Sequence, residues 1–217
     1  MLSRPLLIGH RGARSTKSIA ENTFASFDQA LADGCDGFEF DVRLTVDGQA
    51  VVVHDQQSRG VEIERSTAEQ LSWLPLLEEV LTRYRDSAFL DIELKVPGLE
   101  AMILKLLRKC PPSRGFVVSS FLPEILRSVR GKSTVVPLGL ICETKPQLGE
   151  WRQSPVEYVI PHHRLASTEL IRELREAGKK IIVWTVNDSV SMRRFEDEGV
   201  DGIISDDTKL LGVTFRR

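Results

Sequence analysis

Cysteine is scarce: Cys35, Cys110 and Cys142 are the three in the chain, an odd number with no CxxC pair. That excludes a disulfide framework and indicates no zinc cluster, so the three read as reduced core residues. Long hydrophobic runs are missing too. The N-terminal stretch from Met1 to His10 returns to polar residues too soon for a signal peptide or a membrane span, which leads us to expect a cytoplasmic protein with no stable membrane insertion. Nor is there a surplus of positive charge: 29 Lys and Arg stand against 31 Asp and Glu, for a formal net charge of -2. Sequence-independent attraction to nucleic acid therefore has nothing to draw on, and no nucleic-acid partner is expected. No linker stands out either. With 41% hydrophobic and 28% charged residues, the balance is that of a packed globular protein, and residues 1–217 read as one domain.

What the chain does have is alternation. Short apolar runs rich in β-branched residues fall at 5–9, 37–43, 88–94, 115–119, 135–140, 156–160, 180–186 and 202–205. Amphipathic segments with helical spacing lie between several of them, at 23–32, 76–84, 100–109, 168–177 and 190–198. Gly178 and Gly199 follow two of these as helix stops. Repeated βα units imply a parallel sheet, and eight of them fit a single (β/α)8 TIM-type barrel at the compact end of the usual size range. An extra run at 50–54, after the turn dipeptide Asp47-Gly48, is expected to fold back on strand 2 as a short hairpin. The alternative, an open doubly wound sheet, would carry a glycine-rich phosphate loop after strand 1. The sequence there is Gly9-His10-Arg11-Gly12-Ala13-Arg14, which is not GxGxxG.

In a parallel barrel the active site forms where the strands end, so polar residues at those ends carry the information. His10 and Arg11 end strand 1, Glu39 and Asp41 lie late in strand 2, His54 follows the hairpin, and Glu93 and Lys95 end strand 3. Residues two apart on a strand share a face, so Glu39 pairs with Asp41 and Glu93 with Lys95, while Phe38, Phe40, Val42, Leu90, Ile92 and Leu94 face the helices. Three carboxylates converging on a barrel mouth repel one another unless a cation sits among them. An all-oxygen set suits Mg²⁺ or Ca²⁺, with Mn²⁺ also compatible, better than zinc. A set of surface carboxylates paired with Arg11, Arg43 and Lys95 is the simpler alternative. Imidazole titrates near neutrality, so His10 and His54 can divide general acid and base roles beside a phosphate, for which Arg11 offers a planar fork and Lys95 a point charge.

These residues, in order, resemble the glycerophosphodiester phosphodiesterase family. The matching motifs are His10-Arg11-Gly12, Glu21-Asn22-Thr23, Glu39-Phe40-Asp41-Val42, Asp47-Gly48, Val53-His54-Asp55, Glu93-Leu94-Lys95, Trp184-Thr185-Val186-Asn187 and Asp201-Gly202-Ile203-Ile204-Ser205-Asp206. The resemblance implies a (β/α)8 barrel, Glu39, Asp41 and Glu93 as metal ligands, His10 and His54 as acid and base, and Arg11 and Lys95 near the phosphate. It also implies a small glycerophosphodiester as substrate, with sn-glycerol 3-phosphate and an alcohol as products. The chain departs from the family pattern at Ala20 and at Asp207-Thr208, where proline is usual, and its segment from Asp55 to Pro75 is much shorter than that of most relatives. A short cover leaves little protein to read the head group.

Trp184 is expected on the same face as Ile182, either presenting its indole edge to the glycerol backbone or sitting in the core. His162 and His163 read as loop residues at the same mouth. Two other functions fit the sequence less well. A lysophospholipase D-type enzyme would use similar machinery, but no amphipathic membrane anchor stands out. A degenerate barrel acting only as a binding module would have lost one of the five candidate residues. An amidohydrolase would need a His-x-His pair after strand 1, and position 12 is glycine.

Overall fold

The structure, a computed structural model, describes residues 4–216; Met1, Leu2, Ser3 and Arg217, including the first part of the N-terminal run discussed above, lie outside the described residues. The chain opens with β1 (Leu6–Gly9), α1 (Phe24–Ala32), β2 (Gly37–Leu44) and β3 (Ala50–Val52). A small hairpin of β4 (Gln57–Ser58) and β5 (Val61–Glu62) follows, then α2 (Leu77–Tyr84), β6 (Phe89–Leu94) and α3 (Glu100–Lys109). The second half runs β7 (Phe116–Ser120), α4 (Pro123–Lys132), β8 (Leu138–Cys142), α5 (Lys145–Gly149), β9 (Tyr158–Pro161) and α6 (Thr168–Glu176). It ends with β10 (Lys180–Val183), α7 (Ser189–Asp197), β11 (Gly202–Ser205) and α8 (Thr208–Phe215).

The sheet order β1-β11-β10-β9-β8-β7-β6-β2 closes on itself through a parallel β1–β2 pairing, so the expected TIM-type barrel forms. β3 lies antiparallel on β2, with Val42 opposite Val52, as the turn at Asp47-Gly48 requires. Gly48 has φ +75, a conformation that glycine adopts without penalty. Two of the eight runs begin two or more residues later than their sequence pattern suggests. The fifth starts at Leu138, after an 86% exposed Val135, and the sixth at Tyr158. The seventh stops at Val183 and the hairpin strand at Val52, because a β-rich composition does not mark where pairing ends.

Helices α4, α5 and α8 were not legible. α4 opens on Pro123 and contains Gly131, and the eight residues of α8 are apolar on most sides, with Leu211, Gly212, Thr214 and Phe215 all buried. α4 keeps a buried stripe of Ile125, Leu126 and Val129 that its proline and glycine obscure, whereas α8 has no polar face to set off a stripe. No described helix is long and apolar enough to cross a membrane.

Strand alternation builds two separate cores. Facing out, Phe38, Phe40, Val42, Leu90, Ile92 and Leu94 pack beneath the helices, where Phe27 and Phe38 stack with ring centroids 4.2 Å apart. Facing in, Ile8, Phe89, Val117, Ile141, Tyr158, Ile160, Ile182 and Ile204 fill the barrel. Polar groups that share the inward face rest on this apolar plug. The segment from Asp55 to Pro75 sits to one side, on a small core of Val51, Val53, Ile63 and Leu71.

Candidate active site

A cavity of about 390 Å³ opens at the C-terminal ends of the strands, the end where a parallel barrel carries its active site. Its two halves differ in chemistry. β1, β2, β3 and β6 and the turns after them bring His10, Arg11, Glu39, His54, Asp91, Glu93 and Lys95; the β7–β11 side brings Phe121, Ile141, Ile160, Trp184 and Ile204, with Glu143 at the rim. All eight residues singled out in the sequence lie in this cavity or, for Asp41, directly beside it.

The carboxylates owe their convergence to register. β2 and β6 run side by side with Glu39 opposite Asp91 and Asp41 opposite Glu93, so alternation on both strands sets four carboxylates into one inward patch. Glu39, Asp41 and Glu93 each offer an oxygen within 4.8 Å of the others, and all three are buried. Glu39 Oε1, Asp41 Oδ1 and Glu93 Oε1 make no hydrogen bond. Lys95 Nζ stands 2.7 Å from Glu93 Oε1 and 3.3 Å from Asp41 Oδ1, while Arg11 Nε is 3.3 Å from Asp41 Oδ2. These are ion pairs rather than aligned hydrogen bonds. Burial, and then the neighbouring Asp41 and Glu93, push Glu39 well above the usual carboxylate range; burial and Asp41 raise Glu93 to about 7. Asp41 goes the other way: burial acts against its charge, but Lys95, Arg11 and Asn22 together hold it low. Three buried carboxylates crowded together, with more negative charge than Lys95 and Arg11 offset, match the needs of a hard divalent cation, so the residues present fit such an ion.

Asp91 is a fourth member that sequence reasoning passed over. The alternation of Phe89-Leu90-Asp91-Ile92-Glu93-Leu94 places it on the face of Glu93, and that signal would have found it. Ser119 Oγ donates to Asp91 Oδ1 at 2.5 Å, Oδ2 has no partner, and burial raises the group to about 7.

Each histidine has its own aspartate. The Nδ1 of His10 is 2.6 Å from Asp206 Oδ1, and its Nε2 is 3.8 Å from Glu39 Oε2. A carboxylate only accepts, so Nδ1 carries the hydrogen, and in the neutral imidazole it is Nε2 that turns a lone pair toward the cluster. Asp206 also accepts from Asn187 Nδ2 at 2.8 Å and from Arg14 at 3.2 Å. These partners outweigh burial and keep Asp206 well below the usual carboxylate range. His54 donates from Nδ1 to Asp55 at 2.7 Å, and its carbonyl accepts from Arg43 Nε at 2.7 Å, which fixes the turn that carries it. Burial lowers the His54 pKa, with Asp55 opposing.

The remaining motif residues hold this geometry. Glu21 accepts from Arg11 at 2.7 Å, Asn22 Nδ2 donates to Asp41 Oδ2 at 2.8 Å, and Thr23 caps α1 by accepting from Ser26 N. A Cβ on Gly12, at φ +80, would meet Ser26 Oγ at 2.4 Å, so the turn after His10 needs glycine against α1. Where proline is usual, Asp207 instead caps α8 by accepting from Leu210 N at 2.8 Å, and the Ala20 carbonyl accepts from Thr23 Oγ1 at 2.6 Å.

Trp184 faces the cavity, but its indole N–H donates to the Ile160 carbonyl at 3.0 Å, so it offers ring carbons rather than a donor. His162 and His163 stand behind it, outside the cavity lining: the His162 ring meets Trp184 edge-on with centroids 5.2 Å apart, and His163 N donates to the Trp184 carbonyl. No residue between Asp55 and Pro75 lines the cavity.

The chain matches the Glycerophosphoryl diester phosphodiesterase family over residues 10–109 and 66–210. It is 31% identical over 238 residues to the glycerophosphodiester phosphodiesterase of Caldanaerobacter subterraneus subsp. tengcongensis, covering 96% of each chain. A Bacillus subtilis glycerophosphodiester phosphodiesterase is 27% identical, with 93% of this chain and 83% of that one covered. Among solved structures, the Thermotoga maritima glycerophosphodiester phosphodiesterase superposes with a TM-score of 0.84 at 26% identity, covering 99% of both chains. An Oleispira antarctica phosphodiesterase in complex with the product sn-glycerol-3-phosphate shares the fold, with a TM-score of 0.83 at 24% identity over 97% of this chain and 96% of that one.

Proposed function

The chain belongs to the glycerophosphoryl diester phosphodiesterase family, and from that premise we propose that it hydrolyses glycerophosphodiesters to sn-glycerol 3-phosphate and an alcohol, using one bound divalent metal and two histidines. The observation that carries this reading is the trio of buried carboxylates Glu39, Asp41 and Glu93, whose oxygens converge with only Lys95 and Arg11 to offset their charge, flanked by His10 and His54. That trio would hold Mg²⁺, Ca²⁺ or Mn²⁺. Bound there, the ion supplies Lewis-acid polarisation of a phosphoryl oxygen.

The chain's own residues do the rest. Arg11 and Lys95 attract the phosphate and neutralise its charge as it builds. His10, held by Asp206, and His54, held by Asp55, approach the phosphate from different strands. One accepts the proton of the attacking nucleophile while the other donates a proton to the departing alcohol oxygen. Trp184 and Phe121 give the carbon skeleton of the substrate an apolar wall. The same reading takes residues 1–217 as one domain, places the protein in the cytoplasm, and assigns it no nucleic-acid partner.

The test is activity across metals and substrates on chelator-treated protein. Turnover of glycerophosphocholine should vanish on chelation and return with Mg²⁺, Ca²⁺ or Mn²⁺. The melting temperature should rise with the same ions, since an ion at 100 times its Kd adds about 2.7 kcal/mol to the folded state. Full activity in excess chelator would overturn the reading.

A further inference from the structure

One polar residue of the cavity is not explained by phosphate or metal chemistry. His10, Arg11, Glu39, His54, Asp91, Glu93 and Lys95 all belong to the polar half, and the opposite half is built from Phe121, Ile141, Ile160, Trp184 and Ile204. Glu143 stands at the rim of that apolar half, and among the described residues its carboxylate has neither a hydrogen bond nor an ion pair. Its backbone is nonetheless fixed. Gln147 Oε1 accepts from the amides of both Glu143 and Thr144 at 3.0 Å, and Thr144 caps α5, so the end of β8 delivers position 143 to the same place whatever side chain it carries.

A substrate portion lying against this half must satisfy its polar groups with what is there. Trp184 has no donor to give, because its N–H is held by the Ile160 carbonyl. An ammonium head group is a poor fit. Lys95 Nζ already stands over the Phe121 ring, 5.6 Å from its centroid, so that ring face is not free to take a second cation. Two adjacent hydroxyls fit well: their C–H faces lie on Phe121 and Trp184, while both O–H groups donate to one two-oxygen acceptor.

We infer that Glu143 is the specificity-determining residue for the glycerol half of the substrate, accepting hydrogen bonds from its two neighbouring hydroxyls. This rests on the function proposed above. It also gives a physical reason for a glycerol requirement that phosphate and metal contacts alone do not supply, since those contacts treat any phosphodiester alike.

The experiment compares sn-glycero-3-phosphocholine, sn-glycero-3-phosphoinositol and n-propyl phosphocholine, which lacks both hydroxyls, in the wild type, Glu143→Ala and Glu143→Gln. Glu143→Ala should lose at least about tenfold in kcat/KM on both glycerol substrates and less than about threefold on the propyl ester, with Glu143→Gln in between. Equal losses on all three substrates, or no loss, would overturn the inference. A loss on the choline diester alone would overturn it too, by showing that Glu143 reads a cationic head group. Calorimetry of sn-glycerol 3-phosphate against n-propyl phosphate, on metal-loaded protein, provides a second readout that needs no turnover. Wild-type protein inactive on every diester would count against the proposed function, whereas Glu143 would still be judged by whether Glu143→Ala weakens only the glycerol phosphate.

Discussion

Replacing Asp206 with asparagine tests the site through a single hydrogen atom. Asp206 Oδ1 accepts from His10 Nδ1 at 2.6 Å and from Arg14 at 3.2 Å, and its Oδ2 accepts from Asn187 Nδ2 at 2.8 Å. The Asn187 amide cannot turn around, because its own oxygen accepts from Ser205 Oγ and from Asp206 N, each at 3.0 Å. An asparagine at 206 that keeps its oxygen toward Asn187 gives up the acceptor that Arg14 uses and presents its amide nitrogen to His10. That nitrogen donates to Nδ1, the imidazole hydrogen moves to Nε2, and the lone pair that faced the cluster is lost. The missing charge-assisted bond alone is worth about 1.5 to 3 kcal/mol, or about 10- to 150-fold in rate. In hydrolase triads the same exchange beside a histidine, which likewise leaves the wrong tautomer, costs about 10⁴-fold. We expect kcat on glycerophosphocholine to fall by about 10²-fold or more while KM moves by less than about fivefold, with an unchanged melting temperature showing that the fold survives. A kcat within about threefold of wild type and an unaltered pH profile would refute the orienting role of Asp206.

Three further outcomes follow from the geometry. Because burial lowers the His54 pKa, its neutral form persists to lower pH than in a free imidazole; with His54 as the base, the acid limb of kcat/KM lies below about pH 6.5, and in either role His54→Ala should lower kcat about 10²-fold, so a near-normal kcat would remove it from the mechanism. Since no residue from Asp55 to Pro75 lines the cavity, kcat/KM for glycerophosphocholine, glycerophosphoethanolamine and glycerophosphoglycerol should agree within about tenfold, or about 1.4 kcal/mol; a thousandfold preference would show that another loop reads the head group. Gly37→Ala should cost at least about 2 kcal/mol by thermal or urea unfolding, because a Cβ there falls 1.8 Å from the Phe89 carbonyl oxygen between β2 and β6; stability equal to wild type would contradict that contact.

The sequence by itself determined the barrel and singled out the candidate polar residues at its mouth. Period-2 alternation in Gly37–Leu44 and Phe89–Leu94 separates carboxylates from aromatic and aliphatic residues before any fold is known, because a strand has only two faces. Strongly amphipathic helices such as α3 and α6 were legible for the same reason, whereas α8, apolar on most sides, was not. What only the tertiary structure decided is which residues from distant strands meet. His10 and Asp206 are 196 positions apart and come together only because β1 and β11 close the ring, with Gly9 beside Ser205. The place of Glu143, the hold of Asn22 on Asp41, and the seating of Asp55 to Pro75 beside the mouth rather than over it were decided in the same way. Local periodicity records the environment of each residue but not the partner across the barrel, which strand register and closure select.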